Sequence, residues 1–107
     1  MLPKSRRLFR QDFLVVKSHG RTHRSPHLSL VIQPNQFGYS RVSVVTSAKL
    51  DKRAVVRNKL RRRIYGCLKD FTAGADLIVF PFKSAILLTP EQLKTELWQA
   101  LKPVTNT

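Results

Sequence analysis

Acidic residues are scarce in this chain: six Asp and Glu stand against twenty Lys and Arg in 107 residues, a formal charge of +14. The surplus points to a polyanionic partner. Cysteine occurs once, as Cys67, which excludes a disulfide framework and reads as core packing. Long apolar runs are missing too. The longest, Leu77 to Phe80 and Ala85 to Leu88, are far too short to span a bilayer, and Phe13 to Val16 is too short for a signal-peptide core. The expected location is therefore the cytoplasm, with no membrane partner. No phosphate-binding glycine loop, metal-binding CxxC pair or nucleophile elbow is present. The few acids are scattered: Asp51, Asp70 and Glu91 fall at helix ends, and Asp12, Asp76 and Glu96 stand alone in sequence. Paired carboxylates for metal-assisted hydrolysis are thus not apparent. The plain reading is a binding protein with no active site of its own.

The basic residues are placed unevenly. Residues 1–71 hold 17 basic and 3 acidic residues, whereas residues 72–107 hold 3 of each. The partner meets the first two-thirds of the chain. Within it, Asp51 to Phe71 organises the rest. At 3.6 residues per turn Val56, Leu60, Ile64, Cys67, Leu68 and Phe71 share one helix face, which requires a core. Asn58, Arg62, Tyr65 and Lys69 line the opposite face, flanked by Lys59, Arg61 and Arg63. No acid lies between Asp51, the expected N-cap, and Asp70. Solvated helix faces commonly mix signs in spaced pairs, so this face is suited to an anion. Lys52 and Arg53 in its first turn would oppose the helix dipole.

A chain this short supports one domain, residues 1–107, with a modest core. Residues 1–8 read as a loose basic arm whose Lys4, Arg6 and Arg7 can reach phosphates. Phe9, Phe13 and Val16 recur at helical spacing and Gly20 follows, predicting a helix over Phe9 to Ser18. The next stretch, His19 to His27, contains Gly20 and Pro26 and reads as a loop, with a short extra strand at His23 to Ser25. His19, His23 and His27 have helical spacing but no helix to gather them and no accompanying cysteine, so solvated loop histidines are favoured over a metal site.

Two strands, Leu28 to Gln33 and Arg41 to Ser47, are expected to pair as a hairpin around Gly38. After the central helix, LIVFPF at Leu77 to Phe82 suits an interior strand covered on both faces, ended by Pro81. A connection, Lys83 to Leu88, leads to Thr89, Pro90 and Gln92, the parts of a capping box. Leu93, Leu97, Trp98 and Leu101 give that helix its apolar face, Pro103 stops it, and Val104 to Thr107 is expected to fray. The order α-β-β-β-α-β-α defines a small α+β fold, about four strands covered by three helices.

The segment KRAVVRNKLRRRI, Lys52 to Ile64, resembles the arginine and asparagine signature of the bacterial ribonuclease P protein component. Agreement extends to LFRQDFLVVKSHG at Leu8 to Gly20, RVSVVTSAK at Arg41 to Lys49 and GADLIVFPF at Gly74 to Phe82. The resemblance implies four strands and three helices with a left-handed βαβ crossover through the central helix. It also implies a subunit that joins a catalytic RNA to remove the 5′ leader from precursor tRNA. The RNA carries the chemistry and the Mg²⁺ ions, and no cofactor or metal belongs to the protein, a monomer within the complex. Lys49, Lys52, Arg53, Arg57, Asn58, Lys59, Arg61, Arg62 and Tyr65 would meet the catalytic RNA. Phe13 and Lys17 would meet the leader, although helical spacing alone favours core packing for Phe13. Tyr65 stands where the family commonly has arginine, Lys17 where many members have an aromatic, and Ala48 where a lysine is usual. Leader binding is therefore expected to be less aromatic and more electrostatic. The main alternative is a non-enzymatic RNA-binding protein of the ribosomal kind; a DNA-binding regulator fits less well, because no helix-turn-helix pattern appears.

Overall fold

The computed structural model describes residues 6–71 and 73–102. Its elements are α1 (Arg10–His19), β1 (Arg21–Arg24), β2 (Leu28–Pro34), β3 (Arg41–Val44), α2 (Ala54–Cys67), β4 (Ala75–Pro81), a 3-10 segment (Lys83–Leu87) and α3 (Pro90–Ala100). The strands form one mixed sheet in the order β1-β2-β4-β3. Strand β2 is antiparallel to both β1 and β4, while β3 and β4 run parallel and are joined through α2.

This order corrects two expectations. Strands β2 and β3 do not form a hairpin, because β4 returns from α2 and inserts between them. The hairpin is β1–β2 instead. Strand β1, placed two residues later by the sequence, is exposed at all four positions. Strand β4 takes the interior position that its apolar run required, and only Phe80 of its seven residues is not fully buried.

Side-chain alternation divides the core in two. On one sheet face Leu28, Leu30, Val42, Val44, Leu77 and Val79 pack with Leu60 and Ile64 of α2, with Leu68 at its C-cap, and with Leu93 and Leu97 of α3. Both parts of the capping box form, with Thr89 Oγ1 accepting from the Gln92 amide at 3.1 Å and Gln92 Oε1 from the Thr89 amide at 3.0 Å. Trp98 joins as an anchor, its indole N–H donating to the Cys67 carbonyl at 2.9 Å and its ring edge-on to Phe71. Burial raises the Cys67 thiol pKa, in keeping with an inert core side chain.

The other face carries a smaller cluster, Leu8, Val16, Val31 and Ile78, with Phe13, Val45 and Phe80 against its margin. Helix α1 covers it only in part. The C-terminal end of α1 lies so close to β2 that a Cβ on Gly20 would stand 2.6 Å from Val31 Cγ1. Only glycine permits that approach. Phe9, expected on the apolar face, is instead the exposed N-cap of α1.

The basic arm is not loose where it is described. Arg7 bridges to Val42, and Leu8 is buried with its amide on the Val42 carbonyl. Arg6, expected to reach phosphate, spends its guanidinium inside the protein. It donates to the carbonyls of Ser40 at 3.1 Å, Lys69 at 2.7 Å and Phe71 at 2.6 Å, and to Ser40 Oγ at 2.6 Å. Two of these carbonyls, those of Lys69 and Phe71, lie just past the C-terminus of α2, where a cation is also favoured by the helix dipole. Replacing Arg6 with alanine strands several acceptors, so Arg6→Ala is expected to lose about 2 kcal/mol in urea unfolding. Arg6→Lys should recover only part of that, since an ammonium cannot reproduce the planar fork. Lys4, Pro103 and the expected frayed tail lie outside the described residues.

Candidate nucleic-acid interface

Helix α2 is shorter than its apolar pattern implied. Asp51 does not cap it; its carboxylate accepts from the Arg53 amide at 2.8 Å, closing a turn ahead of the helix, and Arg53 itself occupies the N-cap position. At the other end Leu68 to Phe71 leave the helix as a turn, the Phe71 amide bonding to the Leu68 carbonyl. Lys52 and Arg53 therefore stand before the first turn rather than in it. Leu50, buried, pins the preceding loop and leaves Lys49 and Lys52 exposed beside the helix start.

That start has no acidic side chain in its first turn and no side-chain cap. Its leading amides and the positive end of the dipole are thus available to an anion. The acid nearest in sequence, Asp51, is already held by Arg53 through its Nε and Nη2, each at 3.1 Å. Those bonds bring the Asp51 pKa down to about 2. The resulting stabilisation is present above the ordinary carboxylate pKa near 4 and fades as pH falls towards 2.

Along α2 itself, Asn58, Lys59 and Arg62 are exposed, and Arg57, Arg61 and Arg63 are half-buried. Among the described residues none of these five cations makes a salt bridge. Arg61 donates to the Asn58 side chain, which orients its guanidinium along the helix. The Nε of Arg57 is buried without a hydrogen-bond partner among the described residues, a costly state that an incoming acceptor would relieve. Tyr65 departs from its expected place. It is 8% exposed and belongs to the main core, because the second half of α2 is packed further round its circumference than the first. A tyrosine on that flank lays its ring on the core and is not free to stack on a base.

The second surface lies on the opposite sheet face, beside α1. Phe13 is half-buried against the small cluster, with one side left open, and Lys17 one turn later is exposed. Phe80, which lies in the GADLIVFPF segment but was expected only as part of an interior strand, flanks the same cluster on the same side. Its signal was the alternation within β4: it is two residues from Ile78, hence on the α1 face.

The three histidines do not come together. His19 Nδ1 is 3.1 Å from the Val15 carbonyl, His23 is exposed on β1, and His27 is not simply solvated, as its ring meets Ser84 Oγ at 2.9 Å and its amide donates to Glu96. Among the described residues no group of three or more His, Cys, Asp or Glu side chains is placed to hold a metal ion. No described helix is long and apolar enough to cross a membrane.

A small α+β fold that keeps an unneutralised arginine face on one helix, and a half-covered sheet face elsewhere, has the build of an RNA-binding protein. Residues 2–105 match the family model for ribonuclease P. The ribonuclease P protein component of Synechocystis sp. is 34% identical, covering 92% of this chain and 84% of the relative, and that of Thermotoga maritima is 26% identical over 96% and 88%. Among solved structures, a Staphylococcus aureus RNase P protein mutant with defective mRNA degradation activity superposes with a TM-score of 0.82 at 25% identity, covering 95% of this chain and 90% of that one. The Thermotoga maritima RNase P protein gives 0.82 at 25% identity, covering 92% and 96%. The chain belongs to the ribonuclease P protein family: it is the protein component of an RNA-based endoribonuclease, with an RNA-binding role in tRNA 5′ processing.

Proposed function

We propose that the two surfaces divide the work. The outer face of α2 binds the catalytic RNA through Arg57, Asn58, Lys59, Arg61 and Arg62, with Lys49, Lys52 and Arg53 at the helix start. The cleft between α1 and the sheet takes the single-stranded 5′ leader of precursor tRNA, with Phe13 as a stacking face and Lys17 as a phosphate contact. The RNA subunit holds the Mg²⁺ ions. Four of the six acids support that assignment, since Asp12 and Asp76 pair with Arg41, Asp51 pairs with Arg53, and Glu96 accepts from Ser25 and His27. One copy of the protein serves each complex, in the cytoplasm.

The observation that carries this reading is the absence of any salt bridge to the five cations of α2 among the described residues. A structural surface would pair at least some of them. Stacking on Phe13 is sequence-tolerant because every base has a π-face, as a leader of variable sequence requires.

Phe13→Leu tests the cleft. The swap keeps most of the apolar volume and should cost under about 1.5 kcal/mol of stability. The reconstituted holoenzyme should bind precursor tRNA more weakly by roughly 1 to 3 kcal/mol, the range for one base on an aromatic ring, while binding mature tRNA as before. Equal weakening for both ligands would indicate a general assembly defect, and unchanged binding would make Phe13 a packing residue.

A further inference from the structure

We propose that Phe37, at the tip of the loop between β2 and β3, is a further RNA contact: a preformed stacking surface for an unpaired base of the catalytic RNA. This rests on the reading of α2 as the catalytic-RNA face.

The loop, residues 35–40, is built to hold its aromatic still. The Asn35 side chain accepts from the Phe37 amide at 3.0 Å and donates to the Tyr39 carbonyl at 3.1 Å, which closes the turn from within. Gly38 takes φ +71°, a conformation that a side chain would strain, so the chain reverses directly after the aromatic. Both feet of the loop are fixed as well. The Asn35 amide donates to the Gly74 carbonyl at 2.9 Å, and the buried Ser40 donates through Oγ to the Phe71 carbonyl at 2.6 Å.

The ring is held as firmly as the backbone. The Arg41 guanidinium carbon lies over it, 4.5 Å from the centroid, and that guanidinium is clamped in turn by both oxygens of Asp76. Tyr39 leans on the ring, with centroids 5.6 Å apart and planes tilted by 33°. Phe37 nonetheless remains 51% exposed. The turn does not require an aromatic there, since the positive φ falls on Gly38 and the hydrogen bonds run through Asn35. A ring fixed on one side and open on the other loses little freedom when a flat partner settles on it.

The surroundings select the occupant. Gln36 and Gly38 are exposed on either side, so Phe37 is an isolated ring and lacks the contiguous apolar patch that a protein partner would need. An unpaired base needs only one ring, and stacks whatever its identity. The loop also continues the α2 interface. Its feet rest on Phe71 and Gly74, in the segment that leaves the C-terminal end of α2, and Arg6 ties the Ser40 carbonyl to that of Lys69. An RNA lying along the cations of α2 meets the loop as it passes that end. Towards α1, by contrast, Arg41 is paired with the exposed Asp12, and a carboxylate there disfavours the phosphates of a leader. Lys69 and Asp70, both exposed, offset each other, so the loop adds an aromatic surface to the interface without adding charge.

The contact is tested with the full chain and a bacterial catalytic RNA. Phe37→Leu keeps an apolar side chain but removes the ring, and should bind the RNA about 5- to 150-fold more weakly, the range for one base on an aromatic side chain. Its slope of log K against log salt should match that of the native protein, because stacking displaces no counterion. Phe37→Tyr keeps the ring and should bind as the native protein does. Chemical probing of the complexes should find an unpaired base that the native protein and Phe37→Tyr protect and Phe37→Leu leaves reactive. An abasic nucleotide at that position should weaken the native complex and have no further effect on Phe37→Leu, a response that a purely structural role would not produce. Native affinity for the catalytic RNA in folded Phe37→Leu, a loss confined to precursor tRNA, or an equal loss in Phe37→Tyr overturns the contact. If Arg57→Ala with Arg62→Ala weakens binding and flattens the salt slope while Phe37→Leu does neither, the α2 face stands and the loop contact alone fails. If the folded arginine double variant binds as the native protein does, both fall.

Discussion

Replacing Asp76 with alanine is expected to remove about 3 kcal/mol of stability and lower the melting temperature by roughly 10 to 20 °C, because it leaves a half-enclosed guanidinium without its main partner. Asp76 sits directly across from Arg41 in the parallel β3–β4 register. Its two oxygens accept from Arg41 Nε at 2.8 Å and Nη2 at 2.6 Å, and Oδ1 also accepts from the Asn35 side-chain amide at 2.7 Å. The side chains are 15% and 6% exposed for Arg41 and Asp76, so water cannot take the place of the missing carboxylate. These hydrogen bonds raise the Arg41 pKa further above its ordinary value, and the cation persists in the variant. It would be left with the exposed Asp12 at 3.0 Å and the Phe37 ring, whose centroid lies 4.5 Å from the guanidinium carbon.

Because breaking such a pair is costly chiefly through the charge left behind, the double variant Arg41→Ala/Asp76→Ala should lose less than the sum of the single variants. Urea unfolding of the four proteins measures the coupling. A loss under about 1 kcal/mol in Asp76→Ala would give the pair the weight of an exposed salt bridge. The pair also anchors the turn between β2 and β3, where Gly38 adopts φ +71° and Asn35 bonds to the Tyr39 carbonyl. Loosening it should free the start of α1, which Asp12 ties to Arg41.

The ease with which each element could be read follows the range of the forces that form it. The capping box of α3 was legible because all its parts lie within four residues, Thr89 to Gln92. Strand β4 was legible because burial on two faces demands an unbroken apolar run. Strand order was not: the β3–β4 pairing is closed by a 14-residue helix between them, and nothing local in RVSV says which strand lies alongside. Strand β1 was hard for the opposite reason, since RTHR is wholly exposed and carries no apolar alternation. The roles of Arg6 and Arg41 rest on partners that are distant in sequence, Ser40 and Phe71 for the first, Asp12 and Asp76 for the second. Charge counting misassigned Arg6 because a guanidinium has the same sequence signature whether it meets a phosphate or a group of carbonyls.

The α2 face was legible in outline, because cations at helical spacing must share a side, but its edges were not. Tyr65 lies about 60° from the midline through Arg62 at 100° per residue, close enough to read as outer face. Whether such a flank is buried depends on what packs beside it, and in this protein the main core reaches it. Phe80 illustrates the converse. Its run looks uniformly buried in sequence, yet α1 stops short of it.

Arg57→Ala combined with Arg62→Ala is expected to weaken binding of the catalytic RNA by about 100-fold or more, since two charge-assisted hydrogen bonds contribute roughly 1.5 to 3 kcal/mol each. The two positions differ in a useful way. Arg62 is exposed, so its truncation should leave stability within about 0.5 kcal/mol. Arg57 is half-buried with an unpartnered Nε, so alanine removes an unsatisfied donor along with some packing of the aliphatic stem, and the two effects oppose. The variant should therefore fold. Its binding defect should also have an electrostatic signature, because a phosphate that no longer meets an arginine keeps its counterion. The slope of log K against log salt should become shallower by about 1 for each arginine, hence about 2 for the pair. Lys94→Ala on α3, an exposed cation in the charge-balanced part of the chain, should leave that slope unchanged. Titrations of the RNA at several salt concentrations separate these outcomes: a parallel shift with unaltered slope would mean the arginines shape the helix and do not touch phosphate. An unchanged affinity and slope in the folded double variant would return the face to solvent and leave the RNA to be held elsewhere on the protein.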